Sequence, residues 1–131
     1  MSFLLDSDVC VAVLNGGDLP LLHRLARHDP GDLLVSAIVR AELFYGAYNS
    51  HRVQANLGRL RAFLAPLGQL DFDESAAEEY GQIRSHLRRT GTPIGGHDLF
   101  IAAQARAHGH VVVTRNVREF GRVDGLQVER W

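Results

Sequence analysis

An α/β fold, with a mainly parallel sheet flanked by helices, is predicted by three observations. Phe3-Leu4-Leu5, Leu33-Leu34-Val35 and Val111-Val112-Val113 are short apolar runs of the kind that become strands. None of them alternates with polar residues, as is usual for strands covered on both faces. Between them lie longer stretches with helical apolar spacing, and such alternation joins parallel strands through right-handed crossovers. Strand order is left open by pattern alone.

Taken in order, Phe3-Leu4-Leu5 stops at a polar Asp6-Ser7-Asp8 step before apolar spacing resumes at Val9, Cys10 and Val13, which reads as strand, turn and helix. Ligands in open α/β sheets bind beyond the carboxyl ends of the strands, so Asp6 either stands at the rim of a site or caps the next helix. Asn15-Gly16-Gly17-Asp18 turns the chain into a helix over Leu19 to Arg27, which Asp29-Pro30-Gly31-Asp32 ends. After the second strand, Ser36 caps a helix from Ala37 to about Asn49, on which Ile38, Glu42, Tyr45 and Gly46 share a face. Glu42 is thereby expected within an apolar stripe. A further helix, His51 to Leu64, turns Val53, Leu57, Leu60, Phe63 and Leu64 inward. Gln69 to Phe72 is the expected third strand, and Asp73 caps a long helix to about Arg89 with Ala76, Ala77, Tyr80, Ile83 and Leu87 inward. A Gly- and Pro-rich loop, Thr90 to Gly96, leads to a helix beginning at His97 and capped at Gly109, with Asp98, Ile101, Ala102 and Ala105 on one face. Leu126 to Val128 is expected to add a last strand.

With 131 residues, 46% hydrophobic and 22% charged, the chain suits one domain with its own core. The single cysteine, Cys10, cannot form an internal disulfide and reads as a small buried hydrophobe of a cytosolic protein. Asp6 and Asp8 interrupt the apolar stretch that a signal peptide needs, and no segment is long enough to span a membrane, so a cytoplasmic location is expected. A net charge of -1 does not announce a nucleic-acid binder. All 14 Lys+Arg residues are arginines, however, which excludes Schiff-base and P-loop lysine chemistry and leaves guanidinium groups for phosphate.

Three acids occupy places where carboxylates need a partner: Asp6 at a strand end, Glu42 among apolar residues and Asp98 in the first turn of a helix. Singly, each has a structural explanation: a cap for Asp6, an ion pair with Arg40 or another arginine for Glu42, and the helix dipole for Asp98. Jointly they can converge at the C-terminal edge of the sheet, where Thr114, Asn116 and Glu119 also arrive. Two carboxylates about 4 Å apart repel by roughly 4 kcal/mol at an effective dielectric near 20. Several together need protonation or a cation, and an all-oxygen set suits Mg²⁺ or Mn²⁺ rather than zinc.

Four stretches, Leu4-Leu5-Asp6-Ser7-Asp8-Val9, Ser36 to Gly46, Pro93 to Ala103 and Val113 to Phe120, together resemble the PIN-domain toxins of VapBC toxin–antitoxin modules. The resemblance covers nearly the whole chain. It implies a PIN-like three-layer α/β/α sandwich with a central, mainly parallel sheet, as a single nuclease domain over residues 1–131. It also implies Mg²⁺- or Mn²⁺-dependent endoribonuclease activity on tRNA or ribosomal RNA, a homodimer, and neutralisation by a cognate VapB-type antitoxin. By the same resemblance, Asp6, Glu42 and Asp98 match the core acids, Glu119 a more variable fourth acid, Asn116 a polar site residue, and Ser7 and Thr114 hydroxyl positions beside the site. Asp8 departs from the family, which usually has Asn there, and reads by default as a solvated turn residue.

Arg115, Arg118 and Arg122 gather around the last stretch, as phosphate contacts or as surface ion pairs. No histidine is assigned a catalytic role: His108 and His110 follow a helix end, and His97 points away from its neighbour Asp98. Tyr45 and Phe100 are expected in the core. Two rival functions remain. Asp6-Ser7-Asp8-Val9-Cys10 loosely resembles the nucleophile motif of haloacid-dehalogenase-type phosphatases, although those usually also want a lysine. The other rival is a non-catalytic RNA- or protein-binding domain of the same fold.

Overall fold

In the computed structural model, which describes residues 1–131, strands and helices alternate from the start: β1 (Phe3–Leu5), α1 (Ser7–Leu14), α2 (Leu19–Ala26), β2 (Leu33–Ser36), α3 (Ala37–Tyr48) and α4 (Val53–Leu64). They continue with β3 (Gly68–Leu70), α5 (Glu74–Thr90), α6 (Gly96–His108), β4 (Val111–Val113), the single turn α7 (Val117–Phe120) and β5 (Val128–Glu129). The sheet order is β3-β2-β1-β4-β5, and every neighbouring pair is parallel. From β1 the chain steps outward to β2 and β3, then returns to the far flank of β1 as β4. Right-handed crossovers put the helices of the outward steps on one face and those of the return on the other. The packing agrees: α1, α3 and α4 touch one another, and α5 lies along α6. This is the three-layer α/β/α sandwich expected. The return also makes β1 and β4 a topological switch point, where a crevice opens beyond the strand ends.

Burial follows from this arrangement. Leu4, Leu5, Val112 and Val113 are fully buried in the two central strands. Helix α6 lies between the sheet and α5, so Ile101, Ala102, Ala103, Gln104 and Ala105 are all buried in succession. Its alanines permit close approach on both sides, and Gly109 ends it with φ 71, a left-handed conformation that glycine adopts without steric cost. Gln104 is the polar exception. Ser36 Oγ donates to Gln104 Oε1 at 2.6 Å, and Gln104 Nε2 donates to Leu70 O at 3.2 Å, which ties α6 to the ends of β2 and β3. Gln104→Leu strands both partners, and urea denaturation is expected to show a loss of about 1–3 kcal/mol.

Five sequence expectations need correction. On α3 the buried stripe is Val39, Leu43 and Ala47; Glu42 lies half-buried on its flank, and Tyr45 is 70% exposed rather than in the core. This helix is apolar around most of its circumference, so periodicity cannot choose the face and packing against α1 and α4 does. Strand β3 begins at Gly68, paired with Leu34, and ends before Phe72, which turns out of the sheet to meet Phe100 edge-on at 5.3 Å. A Cβ at Gly68 would lie 2.4 Å from Leu34 Cδ2, so a side chain there would require the Leu34 tip to move aside. β5 is Val128–Glu129, since its pairing with Val112 and Val113 starts only at Val128. Ala77 is exposed, an outcome open to alanine on either face of a helix. No helix is long and apolar enough to cross a membrane.

Candidate active site

Asp6 follows β1 directly and is 4% exposed. Its backbone N–H donates to Val113 O at 3.0 Å, continuing the ladder between β1 and β4 past the end of the strand. One carboxylate oxygen, Oδ1, accepts from the Ser7 amide at 2.7 Å, and the other, Oδ2, accepts from Thr114 Oγ1 at 2.9 Å. Thr114, fully buried after β4, accepts in turn from the Asn116 amide at 3.0 Å. Burial pushes the Asp6 carboxyl above the usual range and the Asp8 charge adds to this, against the lowering effect of the Thr114 and Ser7 hydrogen bonds. One oxygen of Asp6 therefore caps α1 while the group stands at the switch point. Thr114→Val removes a donor from Asp6 and an acceptor from Asn116, and thermal denaturation is expected to show a loss of about 2 kcal/mol.

Asp98 lies in the first turn of α6, half-buried, and is pushed up to about 7 by burial first and then by the charges of Asp6, Glu119 and Asp8. Glu119 is the opposite case. It accepts from the Gly95 amide and from Asn116 Nδ2 at 2.7 Å, and these hydrogen bonds hold it below the usual range. The Glu119 charge in turn raises Asp98, so the two carboxyls act on one another. A Cβ at Gly95 would lie 3.5 Å from Glu119 Oε1 and 3.7 Å from Asp98 Oδ2, so the glycine loop runs close against this pair. Asp6, Asp98 and Glu119 thus form one electrostatic cluster with Asp8 beside it.

Asp8 is not a solvated turn residue. Its Oδ2 accepts from the Arg115 amide at 3.3 Å, and its Oδ1 is buried without any hydrogen bond. Glu42 has no arginine partner, because Arg40 donates to Val35 O and Gly68 O instead. Its Oε1 is likewise buried without a hydrogen bond, although His97 Nδ1 stands 3.3 Å away as a charge partner when protonated. His97 does point away from Asp98, as its place on the helix requires, and what it faces is Glu42. Ser7 contributes its amide to Asp6.

The three arginines separate. Arg115 Nη2 is ion-paired with Asp18 Oδ2 at 2.6 Å, and Arg122 Nη1 donates to Pro93 O at 2.9 Å, bracing the loop before α6. Arg118 is exposed and makes no hydrogen bond or ion pair. His108 meets Asp73, the cap of α5, at 2.8 Å.

As the side chains stand, no three Asp, Glu, His or Cys groups converge on one point from which they could share an ion. The donor chemistry nevertheless suits a hard divalent cation. All the acids offer oxygen, no arginine is ion-paired with any of them, and Asp8 Oδ1 and Glu42 Oε1 are buried acceptors without donors. Cys10 is no ligand, since burial holds its thiol protonated, pushed up to about 12.

The PIN domain profile matches residues 3–126. The chain belongs to the PIN-domain family. Over 131 residues this PIN chain is 37% identical to the tRNA(fMet)-specific endonuclease VapC of Shigella flexneri, covering 100% of this chain and 98% of that protein. It is 36% identical to Ribonuclease VapC2 of Haemophilus influenzae (strain ATCC 51907 / DSM 11121 / KW20 / Rd), again over 100% and 98% of the two chains. The DNA-bound VapBC structure from Salmonella typhimurium superposes with a TM-score of 0.94 at 37% identity, covering 100% of this chain and 98% of that one. Within the PIN family the chain therefore stands among the VapC ribonucleases of toxin–antitoxin systems. Two features of this PIN site escaped sequence reading: the Gly95 amide that anchors Glu119, and the pairing of His97 with Glu42. Gly95-Gly96 beside His97-Asp98 was the available signal for the first, and nothing local signalled the second.

Proposed function

We propose that this chain, as one nuclease domain over residues 1–131, is an endoribonuclease toxin that hydrolyses RNA phosphodiester bonds with Mg²⁺ or Mn²⁺. The observation that carries this reading is the cluster of Asp6, Asp98 and Glu119 at the switch point of β1 and β4, with no arginine ion-paired to any of the three. Asp6 and Asp98, with Glu42 at the flank and Glu119 as the fourth acid, are the groups that would hold the ion. A divalent ion bound there supplies Lewis acidity at a phosphoryl oxygen and neutralises charge developing on the leaving oxygen. The residues themselves have separable roles. Thr114 and the Ser7 amide fix the Asp6 carboxylate in one orientation. Asp98, raised to about 7 by burial and by its acidic neighbours, is the carboxyl whose ionisation a bound cation would most favour. Glu119 stays ionised, held by Gly95 and Asn116. Arg118 and Arg122 are assigned to backbone phosphates, whereas Arg115 would first have to leave Asp18.

The likeness to the tRNA(fMet)-specific VapC of Shigella flexneri supports a tRNA substrate, and the likeness to the VapBC complexes supports a VapB-type antitoxin as partner. A homodimer and a cytoplasmic location complete the proposal. The phosphatase alternative is disfavoured, because the chain contains no lysine to meet the phosphate beside Asp6, which those enzymes usually need. Purified, antitoxin-free protein incubated with total tRNA and Mn²⁺ is expected to produce discrete fragments that EDTA suppresses. Intact RNA at high protein concentration would favour the non-catalytic binding domain instead.

A further inference from the structure

The acid cluster repels the polyanion it is proposed to cut, so the strand must be held by cations outside it. Of the nearest, Arg115 is ion-paired with Asp18, whereas Arg118 is unpartnered and Arg122 gives only one N–H to Pro93 O. The sheet edge leads to others. Thr114 N donates to Glu129 O at 3.1 Å, so β4 and β5 end side by side and Arg130 leaves the sheet on the edge that carries Thr114. Arg130 Nη1 donates to Arg115 O at 2.6 Å, which fixes it to the loop bearing Thr114 and Asn116.

Beyond Arg130 a cavity of about 420 Å³ opens between α2 and the last residues of the chain, walled by His23, Arg24, Arg27, Arg130 and Trp131 and by no acidic side chain. One wall is rigid. Trp131 is stacked on His28 at 4.8 Å, Arg24 lies 5.2 Å over its ring, and both Arg24 and the indole N–H are held by Glu129. That uses the charge of Arg24. Arg27 and Arg130 are exposed and have no acidic partner, which leaves two uncompensated guanidinium charges facing one recess in a chain of net charge -1, Arg130 with only its Nη1 given to Arg115 O. Planar forks of this kind match phosphate oxygens.

We propose that this recess between α2 and the C-terminal residues is a phosphate-binding subsite for the RNA backbone, reached from the acid cluster along the C-terminal edge of the sheet past Arg115 and Arg130. The inference rests on the ribonuclease reading and adds to it where the strand is held. In Asp98→Asn protein, which would bind RNA without cutting it, the affinity for fluorescein-labelled tRNA is measured by anisotropy across a series of salt concentrations. Arg27→Glu, whose side chain makes no hydrogen bond and whose loss leaves the fold intact, is expected to weaken binding several-fold. Combined with Arg130→Glu the loss is expected to reach about tenfold or more, with the slope of log affinity against log salt reduced by about one per arginine. Unchanged affinity and slope in proteins with an unchanged melting temperature would overturn the subsite. So would loss of binding to poly-L-glutamate with retained RNA affinity, which would make the recess a site for an acidic polypeptide. Failure of the ribonuclease reading is seen separately, as RNA left uncut by the unmutated protein with Mn²⁺.

Discussion

Asp98→Asn is expected to lower RNA cleavage by roughly a thousandfold, the upper end for loss of one charge-stabilising group, while making the metal-free protein more stable at pH 8. The second half follows from the sign of the pKa shift. Asp98 sits at about 7 in the folded protein against an ordinary value of 3.8, so the folded state binds the proton more tightly than the unfolded one. Its contribution to stability is complete below pH about 4 and is lost as pH rises through about 7. Above that, the folded protein carries a half-buried carboxylate pressed against Asp6 and Glu119. An amide removes the charge and flattens this part of the profile. Because the group is partly solvated, the expected gain at pH 8 in EDTA is about 1–2 kcal/mol rather than the full equivalent of the shift. Urea melts at pH 5 and pH 8 measure it. A pH dependence as steep in the variant as in the parent would show that Asp98 does not bear the repulsion.

Mn²⁺ added to metal-free protein should stabilise it by about 2.7 kcal/mol at a hundredfold excess over the dissociation constant, and Asp6→Asn should abolish the gain together with cleavage. The physical cause is the same uncompensated charge. Asp6 is the most buried acid of the cluster, and its two hydrogen-bond donors orient it without neutralising it. A cation that binds only the folded arrangement relieves the repulsion and draws the equilibrium toward the native state. Asn keeps a side-chain oxygen to cap α1, so the variant should fold. Thermal melts with and without Mn²⁺ decide the point, and an equal rise in melting temperature for both proteins would place the ion elsewhere.

Much of the site was legible from local chemistry. Asp6 ends an apolar run, and Asp98 follows a glycine-rich loop at the start of an apolar helix; both positions demand an explanation for a charge. Glu42 was harder to place. Helix α3 is apolar on nearly every side, so the pattern put Glu42 inside the stripe when it lies on the flank, facing His97. Asp8 illustrates the converse difficulty. A turn aspartate looks solvated in sequence, but the β4–α7 loop folds over it and leaves one oxygen buried without a donor. Arg115 read equally as a phosphate contact or an ion pair, and only the fold shows that it is paired with Asp18, a residue distant in the chain.

The sequence by itself determined the class of fold and where strands and helices alternate, because burial on both faces of a strand and on one side of a helix leaves a periodic trace in the residues. It also determined the chemistry on offer: oxygen ligands, guanidinium groups and no lysine. Only the tertiary structure decided that β4 returns beside β1, since strands of three residues carry too little pattern to choose their neighbours. That one choice brings Asp6 and Thr114 into contact across 108 positions of chain and turns separate acids into a cluster with a shared electrostatic cost.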